Sequence, residues 1–152
     1  GYHLLNTIFH VIATALYTAT IGLVVRRTFV TTVAGLLFAI HPIHTEAVAG
    51  IVGRADVLCG IFYLLAFLTF IKYSSTTTTK GCIKYVWLSL TFILVTASTL
   101  SKEIGITVLG VCATYYIFYY SHLTLQDLKQ RKTIKVGNIC MGFMILFCNT
   151  WL

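Results

Sequence analysis

Two short polar islands hold the groups in this chain that could do chemistry. The longer runs from His41 to Asp56, HPIHTEAVAGIVGRAD, and contains two of the five histidines, two of the four acids and the sole proline. The shorter is Ser101-Lys102-Glu103. Both interrupt strongly apolar sequence, where ionisable side chains are costly enough to mark function. His41 and His44, three apart with Glu46 nearby, resemble metal-ligand spacing. The run is not HExxH, however, and has no third histidine, so hydrogen-bonding or acid–base roles are expected and a metal is not. Glu103 suits the N-terminus of a helix capped by Ser101. Lys102 does not, being a cation at the positive end of a helix dipole. It calls for an anion, either a phosphate or a buried acid.

Spacing adds direction. Pro42 fits the first position of a helix, where its missing N–H costs nothing. In a helix from there, Glu46, Gly50 and Arg54 repeat along one face, with Gly50 leaving a gap in which a ligand could approach. Gly53, Asp56 and Gly60 form a neighbouring stripe. The bland alternative is that Glu46, Arg54 and Asp56 neutralise one another while the glycines permit close helix packing. A third set, His3, Asn6, His10, Thr14 and Tyr17, recurs at steps of three and four in the first apolar segment. Lipid would penalise such a stripe, so it must face the bundle interior, either bonding another helix or lining a cavity.

The elements that position these groups follow from composition. The 152 residues are 58% hydrophobic and 10% charged, against roughly a quarter charged for soluble domains. The fold class is therefore all-α, a polytopic membrane helix bundle, because continuous apolar runs lack the alternation of a membrane barrel. The net charge of +7 belongs to loops between apolar runs and indicates membrane topology rather than nucleic-acid binding. Five cysteines without a CxxC pair make no disulfide framework. Six hydrophobic segments are expected, at about 4–25, 28–40, 48–71, 83–100, 104–120 and 136–152. The start at Gly1 without methionine and the end inside an apolar run read as an internal piece of a longer protein. Arg26, Arg27, Lys72, Lys80, Lys84, Lys129, Arg131, Lys132 and Lys135 fall in alternate loops, nine of the eleven basic residues, and mark the cytoplasmic side. The islands, with Glu46, Asp56 and Glu103, are then on the lumenal or external face. The second segment rises only about 20 Å, so His41, His44 and Glu46 are expected below the lumenal surface of the ~30 Å core, facing a cavity. Leu123, Leu125 and Leu128 beside Lys129, Arg131 and Lys132 fit a short interfacial helix on anionic lipid.

The runs YHLLNTIFH, FAIHPIHTEAVAGIVGRADVL and SKEIGITVLG strongly resemble the transmembrane and TPR-repeat-containing O-mannosyltransferases, multi-pass proteins of the endoplasmic reticulum membrane. The resemblance covers most of the chain. It implies a GT-C-type glycosyltransferase that moves mannose from a lumenal dolichyl phosphate mannose donor to Ser or Thr of cadherin-type acceptor proteins, with no metal or other cofactor. On that reading, charge and side of the membrane suggest the roles, which the resemblance itself does not fix: Arg54 and Lys102 are expected to pair with the donor phosphate, His41 and His44 to bind sugar or phosphate, and Glu46, Asp56 and Glu103 to support catalysis by orienting these cations or the acceptor. In this family type the principal base precedes the first residue here and TPR repeats follow the last, so the chain by itself is expected to be inactive. Two rival classes remain. A transporter or channel would also carry an intramembrane polar site, but with polar groups at several depths reaching the cytoplasmic side. A non-catalytic scaffold would show charge substitutions affecting assembly only.

Overall fold

A backbone without water to bond must satisfy its own N–H and C=O groups, and the computed structural model does so with helices. It describes residues 2–45, 50, 53–76 and 81–126. Five α-helices are formed: α1 (Tyr2–Val25), α2 (Thr28–Ile40), α3 (Gly53–Ser75), α4 (Gly81–Ser101) and α5 (Val108–Gln126), with a 3-10 helix (Glu103–Thr107) before α5. No strand occurs among the described residues. Among the described residues three helices are long and apolar enough to cross a membrane, at His3–Val25, Gly53–Ser75 and Ile83–Ser101. The chain is an all-α membrane helix bundle. The segment expected over 136–152, the threonine run and most of the basic stretch lie outside the described residues.

Residues 1–109 form one unit, in which successive helices alternate in direction. α1 turns into α2 at Arg26-Arg27, where Arg26 takes a left-handed φ of 54° and its N–H closes on the Gly22 carbonyl at 3.2 Å. This is the αL way of ending a helix. The two helices then approach closely. A β-carbon at Gly35 would fall on the Thr18 side chain, and one at Gly22 would touch Thr31 at 3.5 Å.

α3 is the buried centre of this unit and packs against both α1 and α4. Lipid tails are as apolar as leucine, so small residues and interhelical hydrogen bonds carry the association. Thr69 and Thr91 meet at 3.0 Å across α3 and α4. Ser98 Oγ donates to the Cys59 carbonyl at 3.1 Å. Ala66, Thr20 and Ser98 are fully buried. Large apolar side chains point outward instead, among them Ile8 and Val11 on α1, Leu36 and Leu37 on α2, and Phe92 and Ile93 on α4.

Gly105 sets the turn after α4. Its N–H bonds the Lys102 carbonyl at 2.9 Å, and an added β-carbon would lie against the Ser98 backbone, 2.6 Å from that carbonyl oxygen. The tight 3-10 geometry brings residues 103–107 back onto α4, so the helix expected from Ile104 begins only at Val108. Residues 110–152 form a second unit, in which the described residues, 110–126, continue α5.

Candidate functional site

With alternating directions, one end of the first unit collects the beginning of α1, the end of α2, the beginning of α3 and the end of α4. Beneath it lies an apolar plug of Ala13, Val57 and Ile61, with Phe9, Leu16, Phe38 and Leu65 packed around it. Asp56 directly precedes Val57 of that plug in α3, and His10 and Asn6 lie one and two turns before Ala13 in α1.

Asp56 and Lys102 meet here. The Lys102 ammonium lies 2.6 Å from Asp56 Oδ1, with side-chain exposures of 42% and 29%. Of the two anions that Lys102 admitted on sequence grounds, a carboxylate from the first turn of α3 is the one against it. Ser101 is not a cap. It is the last residue of α4, and its hydroxyl donates to the Ala97 carbonyl at 2.9 Å, the usual resort of a serine inside a helix. Lys102 is the capping position of the 3-10 helix and offers no side-chain cap. Glu103 opens that helix and is exposed.

A continuous helix from Pro42 through Arg54 does not form. Residues 43–45 make a helical turn, Gly50 is a bend, and α3 starts at Gly53. Glycine is a poor helix residue by about 1 kcal/mol, and the Gly50 carbonyl bonds elsewhere, accepting from Asn6 Nδ2 at 3.2 Å. Gly50 thus lies outside the helix that carries Arg54, and Glu46 lies outside the described residues. Arg54 Nε donates to Asn6 Oδ1 at 3.3 Å, so a side chain from α1 lies in the region where Gly50 was expected to leave a gap.

The histidines gain a third member. His10 of α1 lies beside His44, ring centroids 5.1 Å apart, and His44 lies 6.0 Å from His41. Phe38 forms their wall, 4.4 Å from His44 and 5.9 Å from His10, with Tyr17 stacked behind it at 4.4 Å. His10 Nε2 reaches the Ala39 carbonyl at 3.3 Å, and the Ile43 N–H donates to His41 Nδ1 at 3.3 Å. His44 sits in the connection between α2 and α3. Its partial burial, then the neighbouring imidazoles of His10 and His41, push its pKa down to about 4. It is a neutral imidazole at physiological pH, able to donate through one ring nitrogen and accept through the other. Among the described residues no group of three or more His, Cys, Asp or Glu is arranged to hold a metal.

The sequence reading missed Asn6 and His10 as partners of the two islands. Both were visible as members of the polar stripe in the first segment, four residues apart and so on one face of α1. What that stripe could not say was which loop it meets. His3, the outermost member, is exposed, whereas Asn6 and Tyr17 are buried.

Known proteins resemble this chain over most of its length. Protein O-mannosyl-transferase TMTC3 of Mus musculus is 43% identical over 125 residues, 82% of this chain and 13% of that protein. Protein O-mannosyl-transferase tmtc2 of Xenopus laevis is 42% identical over 153 residues, 99% of this chain and 18% of that protein. The chain belongs to the TMTC family. TMTC1 of Homo sapiens is similar too, 42% identical over 130 residues, or 80% of this chain and 14% of that protein. The chain thus spans less than a fifth of the length of these TMTC relatives. No family model and no solved structure matches it.

Proposed function

We propose that this TMTC chain is the membrane-embedded part of a protein O-mannosyltransferase that takes mannose from dolichyl phosphate mannose and transfers it to Ser or Thr of cadherin-type proteins at the lumenal face of the endoplasmic reticulum. The observation that carries the reading is that the first turn of α3 bears both Arg54, bonded to Asn6 of α1, and Asp56, paired with Lys102, in a chain whose relatives are named for O-mannosyl transfer.

In such a transfer the bond from the mannose C1 to the donor phosphate oxygen breaks as the bond from C1 to the acceptor oxygen forms. The departing dolichyl phosphate gains negative charge, and the acceptor hydroxyl loses a proton. Arg54 and Lys102 would take the phosphate oxygens through charge-assisted hydrogen bonds, most valuable when donors are fixed before charge develops. The Asp56–Lys102 pair keeps the ammonium at its post without a ligand. Glu46, Asp56 and Glu103 are the carboxylates that would support the acceptor or steady the cations. His41 and the neutral His44 would hydrogen-bond sugar hydroxyls or a phosphate oxygen, and the Phe38 wall would exclude water beneath them.

The test is mannose transfer from dolichyl phosphate mannose to a cadherin-domain acceptor by the full-length protein, with Arg54→Ala and Glu46→Gln compared at equal folded amounts. Arg54→Ala should lower kcat/KM by about a hundredfold or more, the scale of losing a hydrogen-bonded charge at a reacting phosphate. Unimpaired transfer by both variants would return these residues to packing roles, whereas no transfer by the unaltered full-length protein would return the function to the transporter or scaffold class.

A further inference from the structure

Asn6 is buried to 2% exposure within a span, where a primary amide needs partners for both its donor and its acceptor ends. It directs both at the Gly50–Arg54 region. Nδ2 donates to the Gly50 carbonyl at 3.2 Å, and Oδ1 accepts from Arg54 Nε at 3.3 Å. The Gly50 bond alone would serve to fasten α1 to the connection. The second bond does something different, because it lands on the guanidinium nitrogen nearest the stem. A contact there fixes rotation of the guanidinium plane and so the direction in which its terminal amino groups point. Arginine recognises phosphate through that planar fork. The acceptor is also uncharged. A carboxylate at this position would orient the guanidinium equally well but would neutralise the charge that a phosphate must meet.

We infer that Asn6 is the positioning residue for Arg54, holding its guanidinium in the orientation that takes the phosphate of a lipid-linked sugar donor. The inference rests on the reading of Arg54 as a donor-phosphate group given above.

The experiment measures kcat and donor KM separately, in the full-length protein with dolichyl phosphate mannose, for Asn6→Ala, Asn6→Asp, Arg54→Ala, Arg54→Lys and the double variant Asn6→Ala with Arg54→Lys. Folded protein is quantified for each. Asn6→Ala is expected to raise donor KM about tenfold, the scale of one hydrogen bond to a charged group, with acceptor KM unmoved. Lysine lacks the Nε–H that Asn6 receives, so adding Asn6→Ala to Arg54→Lys should change donor KM by less than about twofold. Asn6→Asp has nearly the same shape and keeps the Arg54 contact. It loses the Nδ2 donor to the Gly50 carbonyl, and should raise donor KM by neutralising Arg54. An unchanged donor KM in Asn6→Ala, or an equal effect of Asn6→Ala with Arg54 and with Lys at position 54, would overturn the positioning role and leave Asn6 as a packing residue. If Arg54→Ala itself leaves donor KM unchanged, the reading of Arg54 falls and the inference falls with it, an outcome distinct from the other two.

Discussion

Asp56 and Lys102 are close enough to be strongly paired yet partly open, and the two facts pull in different directions. Exposed ion pairs are worth about 0–1 kcal/mol, so this one is weak reason for the fold and better reason for holding an ammonium ready. The charge-exchanged variant, Asp56→Lys with Lys102→Asp, separates the two roles. It should recover most of the thermal stability that either single change loses, measured on detergent-solubilised protein. Transfer should stay abolished, because a carboxylate then stands where phosphate is to bind. Recovered transfer would mean that only the pairing mattered. His44 gives a pH signature. Its imidazole titrates near 6.5 in an unfolded chain and about 4 in the fold, so between those values the unfolded state binds a proton that the site refuses. The associated stability is complete above pH 6.5 and declines as pH falls towards 4. The thermal midpoint should therefore drop over that window, and His44→Gln should make the drop shallower. An identical slope in the variant would show that other groups set the acid sensitivity.

At the scale of elements, the turn after α4 is fixed by one residue without a side chain. Gly105→Ala places a methyl against the Ser98 backbone, which cannot swing aside as a flexible side chain would. A loss of about 1–3 kcal/mol is expected, with Lys102 drawn away from Asp56. Stability and donor KM should worsen together, and a variant as stable as the parent would mean that the turn adapts. The helices themselves were legible, because apolar runs of membrane length admit no other secondary structure. The local breaks were not. Nothing in SKEIGIT announces a 3-10 turn, since the reason for it is a close approach to Ser98. In HPIHTEAVAGIVGRAD the glycines argued for space on a helix face, whereas Gly50 instead leaves the helix and gives its carbonyl to α1. The residue types proposed for the site stood out in the sequence by their cost in lipid. The alliances could not, because Asn6 with Arg54 and His10 with His44 join residues far apart in sequence.

For the whole molecule, charge supplies the orientation. Within the first unit Arg26, Arg27, Lys72 and Lys84 gather at the end opposite the site, with Lys84 lying 5.0 Å from the Tyr73 ring centre. Single cysteines placed at Arg27 and at Glu103 of an otherwise cysteine-free protein should react with an impermeant reagent from opposite sides of sealed microsomes, Arg27 from the cytosolic side. Labelling of both from one side would overturn the proposed topology and the lumenal site with it. The bonds between Asn6 and the Gly50–Arg54 region also have a meaning in time. They join positions 44 and 48 residues apart, and at a synthesis rate of 5–20 residues per second that interval lasts roughly 2–10 s. During it α1 has been made, while the partners that bury its amide have not. Polar groups in a nascent span are poorly tolerated by lipid. Until α3 arrives the Asn6 amide lacks both the Gly50 carbonyl and the Arg54 guanidinium, so the order of synthesis delays the pairing of α1's polar stripe.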